Sequence, residues 1–231
     1  MNDSPDRYVI ACQTDWFWDQ WTEFNPKGQW RQVREPEELT YEMLGNFQPR
    51  FVFFPHWSHI VADEIIENFE CVCFHATPLP YGRGGSPIQN MIVRGHEETK
   101  VTALRMTGEV DAGPIYMQED FSLLGGGDEM YIRLSEEILG MIERLVTHPR
   151  EPEPQEGQSV VFERRTPSES SLPEESSLQE IFDFIRMLDA EGYPNAFIEH
   201  GDLRIEFSRP ARRRGKIEAD VTIRRNTDKE D

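Results

Sequence analysis

The sequence predicts an α/β protein: a mostly parallel open sheet with helices on both faces, then a small C-terminal helix and β-hairpin. Three observations predict it. Strand-like and helix-like segments alternate through the first two-thirds of the 231 residues. Several strands, such as "FVFF" and "CVCF", are unbroken apolar runs, the pattern of strands buried on both faces. Composition then turns polar near residue 149, leaving one amphipathic helix and two alternating strands.

In order, "RYVIACQT" reads as a first strand and "DWFWDQW" as an aromatic stretch after it. "WRQVR" reads as a second strand, and "EPEELTYEMLGNF" as one helix opened by acids that suit its positive end. "RFVFFPHW", "VADEIIENF" and "ECVCFH" continue as strand, helix and strand. "SPIQNMIVRG" reads as a short helix with Ser86 as N-cap and Pro87 at its first position. "KVTALRMT" and "GPIYMQEDFSL" resemble strands joined by a turn holding Asp111. A helix from Asp128 to Thr147 presents Tyr131, Leu134, Ile138, Met141, Ile142 and Leu145 as one core stripe. "HPREPEPQEGQ" and "RRTPSESSLPEESS" read as a polar linker. "SLQEIFDFIRMLDAEG" follows as a helix, with "LRIEF" and "DVTIR" as a strand pair. The expected division is residues 1–150 as the catalytic domain and 151–231 as linker and extension.

A net charge of −19 argues against sequence-independent nucleic-acid binding, because a polyanion must meet a cationic face. "RRRGK" at Arg212 to Lys216 is the one basic cluster and reads as a solvated hairpin. Three irregularly spaced cysteines suit neither a disulfide framework nor a zinc site. No stretch has the pattern of a signal peptide or the length of a membrane span. A cytoplasmic protein with no membrane partner and no metal is expected. No GxGxxG fingerprint supports a dinucleotide site.

"CFHATPLPYGRGG" puts His75 at the end of a buried strand, before prolines and glycines that break regular structure. Strand ends of parallel sheets are where ligands bind. Asp111 sits in a downstream turn able to approach His75. A histidine that titrates near neutrality beside an orienting carboxylate is an acid/base pair.

These residues resemble the folate-dependent formyltransferase family, whose signature is His-x-Ser/Thr-x-Leu-Pro-x-x-Arg-Gly followed by Asp-x-Gly-Pro-Ile. His75, Thr77, Leu79, Pro80, Arg83 and Gly84 match the first motif, and Asp111, Gly113, Pro114 and Ile115 the second, with 36 residues from His75 to Asp111. The resemblance implies a Rossmann-like catalytic domain and 10-formyltetrahydrofolate as formyl donor and co-substrate. It implies attack of an amine on the formyl carbon, with His75 and Asp111 as the catalytic residues. The segment after the preceding strand would meet the donor, assigning Trp57, Ser58, His59, Ile60 and, beside Asp111, Val110. Cys73 stands where the family has the asparagine that holds the formyl oxygen. A thiol is a poor donor, so the oxyanion would fall to protonated His75, a backbone N–H or water. A nucleophilic Cys73 forming a formyl thioester and a merely space-filling Cys73 are both open.

Thr77, Pro80, Tyr81, Gly82, Arg83, Gly84 and Gly85 are expected to frame the acceptor, since glycines let backbone N–H groups approach anions. Among family branches the chain resembles the nucleotide-sugar N-formyltransferases of the pseudaminic-acid type. The implied acceptor is the 4-amino group of a UDP-4-amino-4,6-dideoxy-N-acetylhexosamine. Homodimerisation is left open. With Cys73 in place, a formyltetrahydrofolate hydrolase and a catalytically silent folate-binding homologue are the alternatives.

Overall fold

β1 (Arg7–Ala11) shows why the sheet is parallel. Val9, Ile10 and Ala11 are each fully buried, so the strand is covered on both faces. A computed structural model describes residues 6–226. β2 (Gln29–Val33) and β3 (Phe51–Phe54) flank β1 in parallel, and β4 (Cys71–His75) runs parallel to β3. β5 (Tyr81–Gly84) leaves this sheet, and β6 (Glu98–Arg105) returns antiparallel to β4. β7 (Ile115–Ser122) completes the order β2-β1-β3-β4-β6-β7. The carboxyl ends of β1 to β4 therefore share one edge, where the loops after Phe54 and His75 open. The mostly parallel sheet, flanking helices and C-terminal antiparallel strands bear out the expected fold class.

The chain forms two compact units. The first comprises residues up to Gly84, Lys100–Phe121 and Ile132–Val161; the second comprises Gly85–Thr99, Ser122–Tyr131 and residues from Phe162 onward. In the first, the aromatic stretch after β1 is helix α1 (Asp15–Glu23), which buries Phe17, Trp18 and Trp21. Trp30 stacks on Tyr8 at 4.7 Å between ring centres and meets Trp21 at 5.0 Å. Each such buried ring contributes about 1.5–3 kcal/mol of transfer free energy.

The single helix expected over residues 35–47 is divided into a 3₁₀ turn (Pro36–Glu38) and α2 (Tyr41–Phe47). Thr40 divides it: its backbone is extended, and its hydroxyl accepts the Met43 N–H at 3.1 Å to cap a fresh helix. α3 (Asp63–Asn68) precedes β4, and α4 (Pro87–Val93) follows β5. Ser86 holds the N-cap position of α4 but does not cap it. Its backbone is left-handed (φ +48°), and its hydroxyl accepts the Arg165 N–H at 3.1 Å instead. α5 (Gly127–Thr147) buries all six residues of the expected stripe.

The polar stretch after α5 is not a plain linker. Ile115 and Glu153 form an isolated antiparallel bridge, and β8 (Val160–Phe162) pairs with β5. The segment "YGRG" is thus a strand where its glycines predict only a loop; its partner lies some 80 residues away in a stretch that composition marks as disordered.

In the second unit, α6 (Leu178–Leu188) opens on a full capping box. Ser177 Oγ accepts the Glu180 N–H at 3.2 Å and Glu180 accepts the Ser177 N–H at 2.7 Å. β9 (Ala196–His200), absent from the sequence reading, adds to the expected pair β10 (Leu203–Arg213) and β11 (Lys216–Arg225) in the order β11-β10-β9. Leu203, Ile205 and Phe207 are only half-buried, like their neighbours in β10, so the expected one-sided burial does not appear. Arg186 is the buried charge of this unit. It pairs with Asp183 at 2.6 Å and donates to the carbonyls of Leu123 (2.5 Å) and Gly125 (3.0 Å). Arg186→Met takes the donor from both carbonyls and leaves Asp183 with the Gln179 amide at 2.7 Å. Urea denaturation should show a loss of about 3–5 kcal/mol, as for removal of one partner of a buried pair.

Candidate active site

His75 ends β4 with 7% of its surface exposed, and its ring touches two acceptors. Nε2 lies 2.7 Å from the Gly82 carbonyl, and Nδ1 lies 3.5 Å from Asp111 Oδ2. A carbonyl only accepts, so the network assigns the proton to Nε2. Nδ1 faces the Asp111 carboxylate, which also only accepts, so a proton on Nδ1 would complete an ion pair. The strand-end histidine and the distant acid of the sequence reading are thus brought together.

Asp111 is held tightly. Its backbone is left-handed (φ +53°), a conformation uncommon outside glycine. Its Oδ2 accepts the Gly84 N–H at 2.9 Å. Two residues on, a Cβ at Gly113 would lie 1.8 Å from the Arg105 carbonyl oxygen, so only glycine fits that turn.

The 77–85 loop is largely occupied with itself. Thr77 is fully buried, and its hydroxyl donates to the Gly82 carbonyl at 3.2 Å. Pro80, after a cis Leu79–Pro80 bond, accepts the Val160 N–H at 3.2 Å. Tyr81, Gly82, Arg83 and Gly84 form β5, in which Gly82 (φ +83°) and Gly84 (φ +99°) use backbone space closed to other residues. Arg83 donates to Gln155 Oε1 through Nε (3.1 Å) and Nη2 (2.8 Å), and pairs with Glu109 at 3.3 Å. Gly85 belongs to the second unit, where its N–H donates to Phe162 at 3.0 Å and a Cβ would lie 2.4 Å from the Arg164 backbone. Thr77 and Gly85 therefore hold the loop's shape.

The residues expected on the donor side divide sharply. Ser58, His59 and Ile60 are exposed, Ile60 at 98%, and Val110 is 69% exposed. Trp57 instead packs on Phe54 and the core, with its indole N–H buried and unpartnered. Ile60 and Val110 thus leave apolar surface open to solvent, while Trp57 belongs to the core.

Cys73 shares a strand face with His75, two residues away. Burial, reinforced by the Asp111 charge, pushes its thiol far above the ordinary range. A raised thiol pKa disfavours the thiolate that a formyl thioester would need, although Cys73 itself is only half-buried.

Two further residues escaped the sequence reading. Gln155 lies in the presumed linker, yet its amide donates to the carbonyls of Asp111 (2.7 Å) and Gly113 (2.8 Å). Ser135 is fully buried and lies 2.8 Å from His56 Nε2. Ser135 is one helical turn from Tyr131 on the core side of α5, so a polar residue in that stripe was a legible signal; Gln155 offered none. His56, in a left-handed backbone (φ +49°), also meets the rings of Trp16 at 4.5 Å and Phe17 at 5.9 Å. Burial pushes its pKa down to about 3.

A buried histidine held between a carbonyl and a carboxylate at the carboxyl edge of a parallel sheet has the geometry of an acid/base pair. Comparison with known proteins narrows this. The model described as formyl transferase matches residues 18–136, and that described as methionyl-tRNA formyltransferase, C-terminal domain, matches residues 167–224. The structure of methionyl-tRNA formyltransferase from Clostridium thermocellum is 42% identical with a TM-score of 0.93, covering 95% of this chain and 99% of that one. HypX from Aquifex aeolicus in complex with tetrahydrofolic acid shares the fold at 16% identity and a TM-score of 0.71, covering 90% of this chain and 38% of that one. A 4-N formyltransferase from Francisella tularensis shares it at 13% and 0.65, covering 83% and 91%. The chain belongs to the formyl transferase family. It is a formyl-transfer enzyme of a family that uses formyl-tetrahydrofolate.

His56 generates a prediction of pH dependence. Above pH 6.5 it is neutral folded and unfolded; between 6.5 and about 3 only the unfolded chain takes up its proton. Its contribution is thus complete above 6.5 and is lost as pH falls, by at most about 1.4 kcal/mol per pH unit. Urea midpoints measured from pH 7 to pH 4.5 should fall less steeply in His56→Gln than in the wild type.

Proposed function

We propose that the enzyme transfers the formyl group of 10-formyltetrahydrofolate to the amino group of a nucleotide-linked amino sugar. The first candidate acceptor is the 4-amino group of a UDP-4-amino-4,6-dideoxy-N-acetylhexosamine. The observation that carries formyl transfer is the His75–Asp111 pair at the β4 end. With donor bound, the amine would bond to the formyl carbon as the bond from that carbon to the folate nitrogen breaks, and tetrahydrofolate would leave carrying the proton that His75 relays from the amine. His75 receives at Nδ1 the proton the amine sheds, while Asp111 and the Gly82 carbonyl hold the resulting cation. Trp57, Ser58, His59, Ile60, Cys73 and Val110 form the donor side. Pro80 to Gly84 form the acceptor side through backbone, because the Arg83 guanidinium is engaged by Gln155 and Glu109.

Charge supports a small acceptor. Besides the net charge of −19, most cations of the C-terminal strands pair with neighbouring acids, while Arg212 donates to the neutral Gln179 amide. Arg204 and Arg224 pair with Glu206, Arg209 with Asp220, Arg213 and Lys216 with Glu218, and Arg225 with Asp202. Phosphate tracking needs such cations unspent. Residues 1–150 are proposed as the catalytic portion and 151–231 as its extension. Three free cysteines suit a cytoplasmic setting.

The 42% identity to a protein named methionyl-tRNA formyltransferase favours one second reading, the aminoacyl amine of methionyl-tRNA. Tetrahydrofolate release, followed with UDP-, dTDP- and GDP-linked amino sugars, with methionyl-tRNA and with water alone, separates the readings. Turnover with a sugar, and a product heavier by one formyl group, is expected. Turnover only with the tRNA, only with water, or with none overturns the proposal. His75→Asn and Asp111→Asn should each lower kcat at least about 100-fold.

A further inference from the structure

Gln155 closes a ring of contacts around the catalytic pair. We propose that it is a positioning residue that locks Asp111 and the β5 strand into the single arrangement in which His75 presents Nδ1 to a proton; this rests on the acid/base reading of His75.

Its amide is fully used. Two N–H groups serve the carbonyls of Asp111 and Gly113, and the oxygen receives Nε and Nη2 of Arg83. A flipped amide would set its oxygen against two carbonyls and its N–H groups against a guanidinium, so the orientation is fixed by its partners. At one end it therefore fixes a residue in a left-handed backbone, a strain that neighbouring contacts must offset. At the other it fixes Arg83, whose chain neighbours are the two residues that matter. Gly82 accepts from His75, and Gly84 donates to Asp111. The path from His75 through Gly82, Arg83, Gln155 and Asp111 returns to His75. Without Gln155, the turn carrying the acid and the strand that orients the histidine keep the 2.9 Å Gly84 bond, the 3.5 Å His75 contact and the exposed Arg83–Glu109 pair at 3.3 Å.

The two ends separate by substitution. Gln155→Glu still accepts from Arg83 but presents carboxylate oxygen to both carbonyls. Gln155→Ala loses both ends, and Gln155→Met keeps bulk without either. The direct readout is the ¹⁵N imidazole signature of His75 in the full chain, assigned by its absence in His75→Asn. The wild type should show the Nε2–H tautomer, and each folded Gln155 variant a mixed or altered signature. Formyl transfer should show kcat reduced about 10- to 100-fold with KM for the donor within about twofold. An unchanged His75 signature in a variant that retains its cooperative melt overturns the proposal, whatever its melting temperature. If the wild type turns over no acceptor, the formyl-transfer reading falls while the His75 signature still decides the role of Gln155.

Discussion

One backbone carbonyl, that of Gly82, sets the chemistry at the end of β4. Because it can only accept, it claims the Nε2 proton of His75 and leaves the other nitrogen facing Asp111. Gly82 can offer its carbonyl there because a positive φ costs glycine nothing. The β5–β8 pairing, the buried Thr77 hydroxyl and the Gly84 N–H all hold that carbonyl or its surroundings in place. The motif that makes the family legible is, in physical terms, a device for aiming one imidazole.

Much of this was legible in the sequence because it rests on local pattern. The apolar runs of β1, β3 and β4, and the stripe of α5, report burial directly through their periodicity. His75 and Asp111 were found as a pair because each sits at a strand end or turn with an identifiable signature. The division of residues 35–47 was missed since Thr40 was read as a helical residue when its hydroxyl made it a cap. β5, β8 and Gln155 were missed for a different reason. Their partners are distant in the chain, and a stretch rich in Pro, Glu and Gln gives no periodic sign that it will be pinned by side-chain amides and backbone bridges. The engagement of Arg83 by Gln155 and Glu109 was equally invisible, because a guanidinium's partners are set by tertiary structure.

The two histidines at the carboxyl edge show how environment divides one residue type between roles. His75 has a carboxylate at one nitrogen and a carbonyl at the other, an arrangement that welcomes a second proton. His56 has a hydroxyl and aromatic rings, with burial opposing its charge. One lies between two acceptors at a strand end, while the other is kept neutral by burial and ties the loop after β3 to Ser135 on α5.

The thiols carry a consequence of the same kind. Cys12 is pushed up to about 11 and Cys71 to about 12, while Cys73 lies higher still. Burial thus favours the protonated form of all three thiols, which electrophiles and peroxides attack far less readily than the thiolate, so the sulfur two residues before His75 serves as filling rather than as a reactive group.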